Sequence, residues 1–398
     1  MKIQFTTIEG RSFGYYAMLV ILGILAAGGL YASYLMFEGG HYITGMTNQV
    51  PWGFPIVMAV YLIGLSAGSL VLSSLSSVFG KKEYKVFSRV AVYLAALLLM
   101  AGLMSITLDW GRPDRLMIPF TYFNFNSMFS WNAFLYSAYI GICVVYLMAM
   151  FAEKEKLVTF IGAVAVIWAV AVHSGTGAIF GFIHARELYH SPLLAPSFIA
   201  AALSSGTGLM ILILLGTFKF TNRQLDNRLI LGLAKLLSGF ILIVLYFIFI
   251  ENLTRYYAFG LREAEHYYLF EGLHSKVFWI GLILIGSIIP AAILFFPKTN
   301  KSISWIAIAS FMVVIGVLAE RYIIVIPAQT YPLHQFPGKE VSSVFLDGAY
   351  ANYFISLPEA AQAVGIVAII GIMFMLGLKL LELLPKEAVM HDTEKKGT

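Results

Sequence analysis

What most constrains this chain is the recurrence of apolar stretches about twenty residues long, the length an α-helix needs to cross the hydrocarbon core of a bilayer. Ten of them follow one another: Phe13–Phe37, Phe54–Phe79, Val86–Leu108, Phe129–Phe151, Leu157–Phe180, Ser197–Thr217, Arg228–Ile250, Ser275–Phe296, Ser302–Ile326 and Glu359–Leu383. With 60% of the 398 residues hydrophobic and only 12% charged, no soluble core could hide so much apolar surface. The predicted fold class is an all-α polytopic membrane protein of about ten transmembrane helices. The first stretch, 13–37, is too long for the apolar region of a signal peptide and has no small-residue cleavage site, so it is read as a permanent span.

An even number of spans puts both termini on one side, and the basic residues indicate which side. Lys81, Lys82, Lys85, Arg89, Lys154, Lys156, Lys219, Arg223, Arg228, Lys298 and Lys301 fall in one set of short connections, and Lys379, Lys386, Lys395 and Lys396 lie at the C-terminal end. By the positive-inside rule these face the cytoplasm, which predicts a cytoplasmic-membrane protein with both termini inside. The net charge of +5 is therefore a topology signal rather than a nucleic-acid footprint. The opposite connections are longer, carry Arg112, Arg115, Arg186, Arg255, Arg262, Lys276, Arg321 and Lys339 among many acids, and hold His41, His184, His190, His266, His274 and His334. Long ordered loops tend to carry function, so any chemistry is expected to face outward.

Leu65-Ser66-Ala67-Gly68-Ser69 in the second span is echoed by Leu203-Ser204-Ser205-Gly206-Thr207 in the sixth, and the helix after each ends at an acid followed by an arginine, Asp109 with Arg112 and Glu251 with Arg255. The echo suggests two parallel four-helix bundles, 54–180 and 197–326, flanked by the spans 13–37 and 359–383, with 384–398 as a cytoplasmic tail. Small residues at helix contacts produce the same pattern without a duplication. The serines of the second span, Ser66, Ser69, Ser73, Ser74, Ser76 and Ser77, are likewise read as close helix packing, with a proton-conducting file as the sharper alternative.

The strongest local signal is Asp109-Trp110-Gly111-Arg112-Pro113, where an apolar helix stops at an acid and glycine and proline turn the chain. An acid at the hydrocarbon edge is costly unless it is paired, which makes Asp109 the first candidate for proton exchange with a bound ligand. The alternative is a helix-end acid paired with Arg112 or Arg115. His173 is the one histidine inside a span, and imidazole both donates hydrogen bonds and passes protons near neutral pH. Glu38 and His41 after the first span, and Trp52 before the second, are the further candidates for lining an outer pocket, although Trp52 is read first as an anchor at the interface. Glu251 with Arg255, and Glu320 with Arg321, are read as interfacial pairs. The single cysteine, Cys143, leaves no thiolate set for a cluster or a covalently attached haem, and one intraspan histidine does not make the axial pair of a b-type haem. Any redox metal is expected in a partner.

Pro51-Trp52-Gly53 opening the second span, Gly64-Leu65-Ser66-Ala67-Gly68 within it and Asp109-x-Gly111-Arg112-Pro113 closing the third together resemble the NrfD/PsrC superfamily of membrane subunits. Ten spans, and Glu320-Arg321-Tyr322 near the end of the ninth, resemble its longer branch of HybB-, DsrP- and Act-type subunits, the DsrP type above all. The resemblance implies a quinone of the menaquinone or ubiquinone type bound near the outer face and no haem or cluster in this chain. It also implies a ferredoxin-like iron–sulfur subunit docked outside, with further membrane and cytochrome subunits, as in anaerobic, sulfur-linked respiration. It gives Asp109 as the acid beside the quinone and Arg112 as its neighbouring arginine. The expected function is thus quinone or quinol binding within a respiratory oxidoreductase complex, with Asp109 and His173 handling protons and Arg112 tuning Asp109. Two rivals are a secondary transporter, which calls for charged or broken helices near the membrane centre, and a structural anchor without a quinone site.

Overall fold

The computed structural model describes residues 3–333 and 348–386; His334, Lys339 and the tail beyond Lys386 lie outside the described residues. Ten long helices form: α1 Phe13–Gly39, α2 Phe54–Ser73, α3 Ser88–Asp109, α4 Met128–Phe151, α5 Glu155–Gly181, α6 Leu194–Phe220, α7 Asn227–Tyr257, α8 Gly272–Phe295, α9 Ile303–Val325 and α10 Leu357–Leu380. Each is long and apolar enough to cross a membrane, and the molecule is an all-α, multi-pass membrane protein. Bundle interiors and lipid-facing sides are both apolar here, so polar residues gather at helix ends and seams.

Helix boundaries follow local chemistry. α2 stops at Ser73 rather than Phe79: the Ser73 hydroxyl donates to the Leu70 carbonyl at 2.6 Å, competing with the helical ladder, and the chain then reverses through Gly80 at φ 71°. α10 starts on a capping box in which Ser356 and Glu359 each bond the other's main chain. α8 widens to π-helical turns over Val277–Ile288, where Ser287 donates five residues back to the Leu282 carbonyl at 3.0 Å.

α2 is the most buried helix and packs against α3, α5, α6, α9 and α10. Its contact with α6 is made by the echoed glycines. A methyl group at Gly68 would strike the Ala202 carbonyl, and one at Gly206 would strike the backbone of Gly68. Backbones approach this closely only where side chains are missing, which is how small residues hold membrane helices together without a hydrophobic drive between them. α5 also packs on α6, and α9 on α2, so α2, α5, α6 and α9 share the centre of the molecule. α1 and α10 form an outlying pair closed at Gly29 and Gly365, and α10 lies against α3. Within α2, Ser66, Ser69 and Ser73 donate to main-chain carbonyls, while Ser66 also meets the Tyr139 hydroxyl at 2.9 Å.

The segments before α1 and after α10 pair with each other. Strand β1, Phe5–Thr6, pairs antiparallel with β2, Leu384–Pro385. Arg223 clamps them by donating to the Pro385 carbonyl, the Thr6 hydroxyl and the Thr7 carbonyl, and Arg89 lies over the Phe5 ring at 4.0 Å.

Candidate functional site

Asp109 is the last residue of α3. Trp110 leaves the helix in an extended conformation, its N–H still reaching the Thr107 carbonyl at 3.3 Å. The turn folds the Asp109 side chain inward, leaving it 8% exposed, and its Oδ1 is buried without a hydrogen-bond partner. A buried carboxylate oxygen lacking a donor is costly and marks a place where a ligand or water is accommodated. The nearest base is His41, whose Nε2 is 4.0 Å from that oxygen and whose side chain is 39% exposed. Gly40, at φ 75°, makes the left-handed turn from α1 into the short helical turn His41–Ile43 and so brings the imidazole over the end of α3.

Beneath this pair sits Glu359, fully buried in the first turn of α10 and close enough to act electrostatically on Asp109. Glu359 accepts from the N–H groups of Gly45 at 3.1 Å, Phe54 at 3.2 Å and Ser356 at 2.9 Å, and from the hydroxyls of Tyr353 at 2.7 Å and Ser356 at 2.7 Å. One carboxylate thereby ties the loop after α1, the start of α2 and the start of α10. Gly53 is required here, because a methyl group at that position would run into Glu359 and Met46.

Trp52 is fixed through its main chain by Gln329, which accepts from its N–H at 2.9 Å and donates to its carbonyl at 3.0 Å. Its ring packs against Phe129, Phe180 and Tyr189 with centroids 6.2, 5.7 and 6.0 Å away. The result is an aromatic wall between the outer loops and the helix interior.

The other candidates are placed elsewhere. Glu38 is exposed at the end of α1. Arg112 is turned away from Asp109 and forks onto Asp114, with both contacts at 3.0 Å, because the helical turn Pro113–Arg115 begins directly after it. Asp109 therefore pairs with neither Arg112 nor Arg115, and the tuning expected of Arg112 has no geometric support. His173 is buried in α5, its Nδ1 3.3 Å from the Ala169 carbonyl and its Nε2 directed at Gly64 of α2. It shares no hydrogen bond with Asp109 and belongs to the contact between α5 and α2, where Arg321 of α9 is the charge that acts on it. Glu359, Tyr353 and Gln329 went unnoticed in the sequence. Only the Ser356-x-x-Glu359 spacing signalled anything, and it signalled a helix start.

A helical membrane protein with ten candidate spans among the described residues, and a buried acid beside an imidazole at the end of one of them, defines the class. The chain belongs to the NrfD family: residues 42–332 match the family described as Polysulphide reductase, NrfD. It is similar to the Hdr-like menaquinol oxidoreductase integral membrane subunit of Archaeoglobus fulgidus, with 43% identity over 99% of this chain and 100% of the other. It is also similar to the C subunit of the polysulfide reductase of Wolinella succinogenes, at 24% identity over 71% of this chain and 96% of the other. The menaquinone reductase, integral membrane subunit of Nitratidesulfovibrio vulgaris is 23% identical over 91% of this chain and 90% of its own. The family resemblance read from Asp109-x-Gly111-Arg112-Pro113 is thereby borne out.

Proposed function

We propose that this chain is the quinone-binding membrane subunit of a respiratory oxidoreductase complex and exchanges electrons and protons with a menaquinone-type quinol at the Asp109 pocket. The observation that carries the reading is the buried Oδ1 of Asp109, an acceptor with no donor, beside the half-exposed imidazole of His41. A quinol head group fits such a place, since it is a flat apolar ring edged by hydroxyls that need an acceptor. When bound, a quinol supplies electrons together with protons. Asp109 accepts a hydroxyl proton at Oδ1, and His41, reaching from the buried acid to the outer loops, passes it outward. Glu359 holds the three segments that frame the pocket. Trp52 supplies a face for the ring.

The full-length similarity to the Archaeoglobus subunit supports the choice of a menaquinone-type quinol, and the polysulfide reductase relative supports a sulfur-linked, DsrP-type complex. Electrons pass to a ferredoxin-like iron–sulfur subunit docked on the outer face, for which this chain's one buried cysteine offers no substitute. The protein lies in the cytoplasmic membrane with its termini inside. The test is to purify the tagged complex in mild detergent, identify the subunits that accompany it and extract bound quinone. Quinone present in the wild type and missing from a folded Asp109→Asn variant supports the reading, whereas a variant that retains both quinone and turnover overturns it.

A further inference from the structure

Away from the Asp109 pocket, the second half of the molecule gathers three acids and two guanidinium groups just beneath its outer surface. Glu251 and Arg255 come from α7, Glu320 and Arg321 from α9, and Glu265 with Tyr268 from the nine-residue helix Arg262–Phe270. All are buried, Glu265 to 0% exposure. Among the described residues, α5 brings the titratable His173 within electrostatic range of Arg321, while α6 offers Ser197, α8 offers Leu282, and the loop between α5 and α6 offers the Leu188 carbonyl.

Within the cluster the partners do not balance. Arg255 bonds Glu251 at 2.6 Å and the Leu188 carbonyl at 2.8 Å, which leaves Glu265 4.0 Å away, beyond hydrogen-bond reach. Neither oxygen of Glu265 accepts a hydrogen bond, nor does Oε2 of Glu320. Arg321 lies over the Phe198 ring at 3.9 Å, and its nitrogens lack acceptors. Three carboxylates against two guanidiniums leave one negative charge in excess, in a setting where an uncompensated charge is costly. Two of the three carboxylates, Glu265 and Glu320, lack a hydrogen-bonded partner, and Glu265, at 0% exposure with both oxygens buried and unbonded, is the more completely isolated. A cavity of about 40 Å³ opens within the cluster, lined by Glu251, Arg255, Tyr268, Glu320 and Ser197, and Arg255, on its wall, is 4.0 Å from Glu265. At ~10–15 Å³ per water this is room for about three waters, enough to carry a proton to and from the acid.

We infer that this cluster is a proton-binding site that holds one exchangeable proton on Glu265 beside a hydrated cavity, separate from the Asp109 pocket. Burial pushes the Glu265 carboxyl from 4.5 up to about 7, with Arg255 opposing and Glu251 adding to the rise. The folded protein therefore binds this proton more tightly than the unfolded chain. The stability it contributes is full below 4.5 and is lost as pH rises through about 7. The inference does not depend on quinone binding.

The test is an infrared pH titration of the full-length protein in lipid nanodiscs, comparing wild type with Glu265→Gln, which keeps the shape of the neutral acid. The expected result is a carbonyl stretch of a buried carboxylic acid that falls about tenfold between pH ~6 and ~8. It should be absent from Glu265→Gln and unchanged when choline is replaced by sodium. A wild-type titration without such a band overturns the inference whatever the variant does. So does a band that persists in Glu265→Gln, or one displaced by sodium, which would make the site one for a metal cation.

Discussion

At the residue scale, Asp109 was legible because an acid closing an apolar helix is rare and costly, while its surroundings were not. The sequence offered Arg112 as its partner through proximity along the chain. The turn at Gly111 instead sends Arg112 outward to Asp114, the group nearest Asp109 is His41 from the loop after α1, and Glu359 of α10 acts on it electrostatically. Pairings across such separations in sequence depend on packing, which no local pattern encodes. Replacing Asp109 by Asn keeps the volume and removes the proton acceptor; quinol turnover by the purified complex is expected to fall about 100-fold or more, with an unchanged melting profile. Glu359→Ala is the structural counterpart. It strips the acceptor from the buried N–H of Gly45 and from the buried hydroxyls of Tyr353 and Ser356, and a loss of about 3 kcal/mol should appear in a denaturation series in detergent.

At the element scale, the spans were legible from apolar length alone, and their ends were less so. α2 ends early because a serine hydroxyl competes with the ladder, and α10 begins at Leu357 because its capping box reaches back to Ser356. The echo around Gly68 and Gly206 pointed to matching halves, and those two glycines touch, although nothing in either segment alone announced that they pack on one another. Gly68→Ala forces α2 away from Ala202 and should cost about 1–3 kcal/mol. Gly23→Ala on α1, where an added methyl meets nothing within 4 Å, should leave stability unchanged or raise it by up to ~1 kcal/mol. Thermal aggregation of the two variants side by side separates a seam contact from general intolerance of substitution. The acids of α7 and α9 read as interfacial pairs in the sequence. Glu251 and Arg255 do pair, but Glu320 and Arg321 do not, because adjacent residues on a helix point to different neighbours.

At the scale of the whole molecule, hydropathy and the distribution of lysine and arginine carried the fold class and the expected orientation, because a bilayer leaves so few architectures open to a chain this apolar. Orientation can be checked directly, since the only native thiol, Cys143, is fully buried. A membrane-impermeant maleimide applied to intact cells should label Glu38→Cys and spare Lys82→Cys, and both should react once the membrane is opened. The surroundings of Asp109 were beyond the sequence, since they are assembled from the loop after α1, the start of α2, the end of α3 and the start of α10. The most direct measurement of the central claim is photoaffinity labelling of the complex in nanodiscs with an azido-menaquinone, followed by peptide mapping. Crosslinks concentrated in residues 38–54 and 105–112, and lost in Asp109→Asn, are what the account predicts; crosslinks confined to α7–α9 or to the face that carries β1 and β2 would contradict it.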